Sequence, residues 1–229
     1  MPNSKIIVHR VYFTQTELLT RYEKLFSICK YAFIQQGTDW AEVIKTLGPD
    51  IPIFLLCEYD GIDVAGMPLY LFDGEYGAIL TSIPQPGPVG GIFHLDNLQN
   101  DLREIIYENI LNVAIKIAEA HNCLLFSTNT NPLFDDSKFY QKILSPNYVL
   151  NNFTQFINFE TGQKRSHGVR NNINKSKNNK LLFINDSKQV YFEQWYEIHN
   201  KRHIELGITP LKKKLFEKLY LFLSKNNNI

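Results

Sequence analysis

Two apolar runs, "IFLLCEY" and "VAGMPLYLF", flank Asp60-Gly61, and no other feature constrains the fold of this chain as tightly. Both turn positions tolerate positive φ, so the segment reads as a tight β-hairpin. "GAILTSI" supplies a third strand, and residues 5 to 13 read as a short strand ahead of them. Helical periods surround these strands. Thr14 and Glu17 form a capping-box pair before a helix carrying Leu18, Tyr22, Leu25, Cys29 and Phe33. A second, short helix runs from Trp40 to Leu47 and ends at Gly48. Leu102, Ile106, Ile110, Val113 and Ile117 mark a long amphipathic helix that packs on the sheet. "CLLFSTN" follows as a buried strand, residues 136 to 144 as a helix, and "FTQFINF" as another strand. The order predicts a mixed α/β fold, a central mixed sheet flanked by helices.

The texture changes after about Asn151, where asparagine becomes abundant. "RSHGVRNNINKSKNNK" reads as a helix capped by Ser166, with Val169, Ile173 and Ser176 on one face, and "LLFI" as a short strand after it. Asp186 or Ser187 can cap a helix holding Phe192, Trp195, Ile198, His199 and Arg202, which Gly207 ends. Thr209-Pro210 is an N-cap and N1 pair for a last helix with Phe216, Leu219, Tyr220 and Leu223 on its apolar side. These pieces cannot bury their apolar faces alone. Residues 1–150 are therefore expected to form one domain and 151–229 the opening, truncated part of a second.

With 44% hydrophobic and 13% aromatic residues, the 229-residue chain is not globally disordered. Its net charge of +1 gives no reason to expect DNA. Six Lys/Arg and no acid fall between Lys164 and Lys180, which leaves 18 basic and 23 acidic residues, a balance of −5, elsewhere. A local positive site on a mildly acidic body suits one specific anion better than a nucleic-acid coat. On the basic helix, Arg170, Asn174 and Lys177 recur at i, i+4 and i+7, a guanidinium, an amide and an ammonium in line. Such a stripe either holds a phosphate or diphosphate or is a solvated polar face.

"PQPGPVGG", residues 84 to 91, is a breaker-rich loop. Gly87, Gly90 and Gly91 could offer bare backbone N–H groups to an anion, although no dinucleotide or P-loop fingerprint is present, and a plain connector is the other reading. His94 follows it, as a surface residue or a base. His199 and His203 stand at i, i+4, but Asn200 occupies the place where zinc proteases carry glutamate, so no metal set is expected. Cys29, Cys57 and Cys123 read as reduced core thiols, and no apolar run approaches the roughly 20 residues of a membrane span, so a cytoplasmic protein is expected.

In sequence order, "DWAEVIKTLG", "IFLLCEYDGIDVAGMPLYLF" and "TSIPQPGPVGG" resemble the FemAB-like branch of the GNAT acyltransferase superfamily, which includes the aminoacyltransferases that build peptidoglycan cross-bridges. "RSHGVRNNINKSKNNKLLFI" and "FEQWYEIHNKRHIELGITPLKKKLFEKL" are similar to that family's basic helix and to the aromatic segment after it, the latter including Arg202. The resemblance implies two GNAT-like domains in tandem and an enzyme that moves an activated acyl group onto an amine of a cell-envelope acceptor. The acceptor would be a small or lipid-linked phosphorylated molecule. The donor would be acyl-CoA or aminoacyl-tRNA, which makes tRNA a possible partner, and no bound cofactor is implied. Lys45 and Arg170 occupy the positions that help hold the phosphorylated acceptor. No Arg/Gln-x-x-Gly-x-Gly/Ala sequence is present, which leaves the donor open. The alternative is a non-catalytic binding protein built on a degenerate or truncated GNAT fold. A third reading, RNA binding through the basic helix, would show steep salt dependence.

Overall fold

The computed structural model describes residues 5–46, 48, 51–84, 87, 89–134, 136–151, 166–180 and 189–225, and falls into two units. Residues 1–147 and 211–226 make the first unit and 148–210 belong to the second.

The first unit is built on one mixed sheet. Its strands are β1 (Ile6–Val11), β2 (Ile51–Tyr59), β3 (Ile62–Gly74), β4 (Gly77–Thr81), β5 (Phe93–His94) and β6 (Leu125–Ser127), in the order β1-β2-β3-β4-β6 with β5 also on β3. All pairs are antiparallel except β4 with β6, which run parallel. The β2–β3 hairpin forms as the sequence predicts, with φ of +48° at Asp60 and +82° at Gly61.

Alternation along β2 and β3 sends side chains to two cores. Ile53, Leu55, Met67, Leu69 and Leu71 meet α3 (Asn100–Ala120) and α4 (Ser137–Leu144). Phe54, Leu56 and Tyr70 belong to the other core, with Tyr22 and Leu25 of α1 (Thr16–Ile28) and Trp40, Ala41 and Ile44 of α2 (Thr38–Lys45). Burial on both faces explains why β2 reads as a continuous apolar run rather than an alternation.

Several expectations need correction. α1 has Gln15 at its N-cap and no side-chain cap, because Gln15 turns back to accept the Tyr12 N–H at 3.0 Å. α2 ends at Lys45 with Thr46 as its cap. β6 is not buried along its length: Leu125 is 51% exposed, and among the described residues β4 alone pairs with it. The last helix, α7 (Lys213–Lys225), begins beyond Thr209-Pro210, since its first turn closes from the Leu215 N–H to the Lys212 carbonyl. It buries Leu215 fully and packs on α2 in the first unit, so it does not join residues 151–210.

The second unit contributes α5 (His167–Asn178) and α6 (Phe192–Glu205), neither with a buried residue. Ser166 caps α5 as expected, accepting the Val169 N–H. Gly207 ends α6 at φ +68°, with Gly207 N–H to Ile204 and Ile208 N–H to His203 closing a Schellman turn. The strands expected at 153–159 and 181–184, and the caps at Asp186 or Ser187, lie outside the described residues.

Candidate functional site

The sheet is interrupted at one place that the registers define. Thr81 of β4 pairs with Tyr70, and Phe93 of β5 pairs with Gly66. Between those pairs β3 spends residues 67–69 while the other chain spends residues 82–92, so the glycine/proline segment is an excursion out of one edge. Pro68 falls in that gap. A proline has no N–H for a ladder, and a central strand tolerates one where a partner is missing.

The excursion is cinched rather than loose. As it leaves β4 it runs beside the chain that continues from β6: Ser82 N–H donates to the Ser127 carbonyl at 3.0 Å, and Ser82 Oγ to Thr128 Oγ1 at 2.9 Å. Gly90 N–H donates to Asn129 Oδ1 at 2.9 Å, and Gly91 N–H to Ser82 Oγ at 3.0 Å. From the other side, the buried Gln36 Nε2 donates to the carbonyls of Gly90 and Gly91 at 3.0 and 3.1 Å. Gln36 is itself held: its Oε1 accepts the Phe33 N–H at 2.8 Å and its carbonyl accepts the Tyr22 hydroxyl at 2.9 Å. Ile92 N–H closes the exit on Tyr140 Oη at 2.8 Å.

Glycine is required at two of these points. A Cβ on Gly90 would lie 1.8 Å from the Ser82 carbonyl oxygen, and one on Gly91, whose φ is +72°, 2.1 Å from that of Asn129. The sequence-based expectation that Gly90 and Gly91 offer bare N–H groups to an anion is therefore overturned, because both groups are committed within the fold. Gly87 packs against Gln35 and Pro84 at φ +155°.

His94 is not a surface residue. It is 2% exposed, stacked on Phe134 at 4.6 Å, with Tyr107 at 6.0 Å. Its Nδ1 donates to the Leu95 carbonyl at 2.7 Å, which leaves Nε2 as the lone-pair nitrogen of the neutral ring. Burial holds its pKa below the ordinary imidazole value. Beneath it, the buried Asp136 accepts the Tyr107 hydroxyl at 2.6 Å and pairs with Arg103 at 3.4 Å. Enclosed in this way, His94 anchors the exit of the excursion. Cys29 and Cys57 are buried, and burial pushes both thiols up to about 12.

The residues expected to bind substrate are dispersed over separate elements. Lys45 lies over the Phe13 ring at 4.5 Å and 3.5 Å from Glu42. Arg170, Asn174 and Lys177 are exposed on α5, as the spacing predicts, and Arg170 and Lys177 have no ion pair among the described residues. Of the three, Asn174 alone lines the shallow depression formed with Gly168, Asn171, Asn172, Lys175 and Asn178. Arg202 on α6 pairs with Glu205 at 3.3 Å. Sequence reasoning missed Gln36, Asn129 and Tyr140. Their partners lie 54, 39 and 48 residues away, so no local pattern announces them.

Among the described residues, no group of three His, Cys, Asp or Glu side chains is placed to hold a metal, and no helix is long and apolar enough to cross a membrane. No family model and no curated protein matches the sequence. Solved structures do resemble it in backbone course. An aminoglycoside N-acetyltransferase in complex with CoA matches with 11% identity over 69% of this chain and 97% of its own, at a TM-score of 0.44. A ribosomal-protein-alanine N-acetyltransferase from Brucella melitensis biovar Abortus 2308 gives 11%, 68%, 99% and 0.44 for the same quantities. The glucosamine-6-phosphate N-acetyltransferase of Arabidopsis thaliana gives 8%, 67%, 99% and 0.44.

Proposed function

We propose that this chain is an N-acyltransferase of the FemAB-like kind within the GNAT superfamily, moving an activated acyl group onto an amine of a phosphorylated cell-envelope precursor. The observation that carries this reading is the opened sheet edge, where β4 leaves β3 for residues 82–92 just as the parallel β6 comes alongside. An extended, amide-bearing acyl carrier can lie along an interrupted edge as an added strand. The clamps from Gln36, Asn129 and Tyr140 keep that opening in one shape, which is what holding two reactants in register requires. The ordered motifs from Trp40 to Phe216 favour the same reading.

Attack of a neutral amine on an activated acyl carbon needs orientation and oxyanion stabilisation, and no metal or covalent enzyme intermediate. Acyl-CoA is the donor we favour, because its arm carries amides suited to a strand edge, and aminoacyl-tRNA is the competitor. Arg170 would grip the acceptor's phosphate through paired hydrogen bonds, with Asn174 and Lys177 along the same stripe and Arg202 as a further cationic contact.

The test is transfer of label from acyl-CoA, and separately from aminoacyl-tRNA, onto a nucleotide-linked cell-wall precursor. Turnover with either donor supports the reading and names the donor. Binding of the precursor without turnover from both donors points instead to a non-catalytic binding protein. Arg170→Ala is expected to weaken precursor binding by about 10- to 100-fold, the loss of one charge-assisted contact, whereas Asn179→Ala is expected to change it little. Equal binding by the two variants reduces the stripe to a solvated face.

A further inference from the structure

One side of the His94 ring is covered by residues 129–134, the chain that leaves β6 on its way to α4. Phe134 stacks on the imidazole at 4.6 Å, and the Tyr31 ring meets Phe134 edge-on at 5.2 Å. The buried Asn131 donates from Nδ2 to the Tyr31 carbonyl at 2.9 Å. The Leu133 and Phe134 N–H groups turn back onto Asn131 Oδ1 and its carbonyl at 2.9 and 3.1 Å. Pro132 and Leu133 are exposed. The other neighbours of His94 belong to the core: its strand pairs with Ala65 of β3, and Tyr107 is fully buried on α3. Lifting 129–134 is therefore the least costly way for water to reach the ring.

In the closed arrangement a second proton on the ring is poorly placed. Nδ1 already donates to Leu95, so the proton goes to Nε2, which is shielded and has no hydrogen-bond partner among the described residues. The ionisable groups facing the ring do not compensate. Asp136 is engaged by the Tyr107 hydroxyl and by Arg103, burial keeps Tyr107 neutral, Arg103 repels a second cation, and Asp96 is exposed. An imidazolium is costly in such a place and ordinary in water. We propose that His94, Phe134 and Asn131 form an acid-released latch: protonation of His94 lifts residues 129–134 while the rest of the sheet stays folded, and loosens the clamp on the 82–92 excursion. The coupling runs through Asn129, whose Oδ1 accepts the Gly90 N–H at 2.9 Å. The open form takes up its proton near pH 6.5 and the closed form only at lower pH. Closure is thus favoured above that value, and opening grows by up to about tenfold per pH unit below it. The latch works in the empty protein, whatever the opening binds.

Amide hydrogen exchange of the full chain without ligand, at pH 7.5 and 5.0 and expressed as protection factors, tests this. Leu133, Phe134 and Gly90 should lose at least about fivefold and up to about 30-fold in protection at the lower pH. At both pH values they should remain well below Leu55 and Leu56 of β2, which open only with the whole fold. His94→Phe should show the same protection of Leu133 and Phe134 at both pH values. Three wild-type results would each overturn the proposal: no loss at Leu133 and Phe134, a Gly90 amide that does not follow them, or protection equal to that of β2. An undiminished acid response in His94→Phe would overturn it as well.

Discussion

Gly90→Ala should break the excursion, and the structure sets the size of the effect. The added Cβ would sit 1.8 Å from the Ser82 carbonyl oxygen and 2.5 Å from its carbonyl carbon, both backbone atoms that no rotamer change can move aside. Relief requires the two strands of the loop to part by more than an ångström. Both are tied: Ser82 to Ser127 and Thr128, Gly90 to Asn129 and Gln36. Parting them breaks two or three hydrogen bonds, worth about 0.5–1.5 kcal/mol each, and strands the buried Gln36 amide at about 1–3 kcal/mol more. A loss of about 3–5 kcal/mol is expected, among the larger effects of single substitutions. Urea unfolding followed by circular dichroism measures it. Gly168→Ala is the control: its Cβ would meet nothing within 4 Å in α5, so alanine should be neutral or should stabilise by up to about 1 kcal/mol. If Gly90→Ala unfolds within about 0.5 kcal/mol of wild type, the loop is not clamped as described.

Three further outcomes are expected. Tyr107→Phe removes the hydroxyl that the buried Asp136 accepts, and should cost about 1.5–3 kcal/mol in the same denaturation assay. Trp40→Ala, in the core under α2, should cost about 3–5 kcal/mol, and a loss near zero would mean that the indole is not packed as observed. The folded state depresses the pKa of His94, which faces Asp136, Arg103 and Asp96, so below about pH 6.5 the unfolded chain takes up a proton that the folded chain refuses. Stability should accordingly fall from that pH downward until the folded pKa is reached, by at most about 1.4 kcal/mol per pH unit, and His94→Phe should flatten this part of the profile. A variant with the wild-type slope would show that His94 is not the group responsible.

What could be read from the sequence follows from range. The hairpin at Asp60-Gly61, the length of α3 and the Ser166 cap are set by neighbours within a few residues, and the structure has all three. The excursion was legible as a loop but not as a gap in a strand, because only the pairing of β4 and β5 with the same edge of β3 reveals it. Its glycines hinted at open backbone. They are glycines because Ser82 and Asn129 press on them, and that contact comes from tertiary packing. The burial of His94 was hidden for the same reason, since it depends on Phe134 and Tyr107, 40 and 13 residues distant. The grouping of α7 with the first unit reflects apolar contacts of Leu219 and Phe222 with a core drawn from residues 11–93, far earlier in the chain.

The central claim is that the gap on the β3 edge between β4 and β5 seats the acyl carrier, and amide hydrogen exchange with and without acetyl-CoA tests it most directly. Residues 81–84, 89–95 and 125–131 should gain protection in the presence of acetyl-CoA, and the gain should vanish in Gly90→Ala. Protection confined to other segments, or unchanged exchange at these residues under saturating acetyl-CoA, would contradict the account.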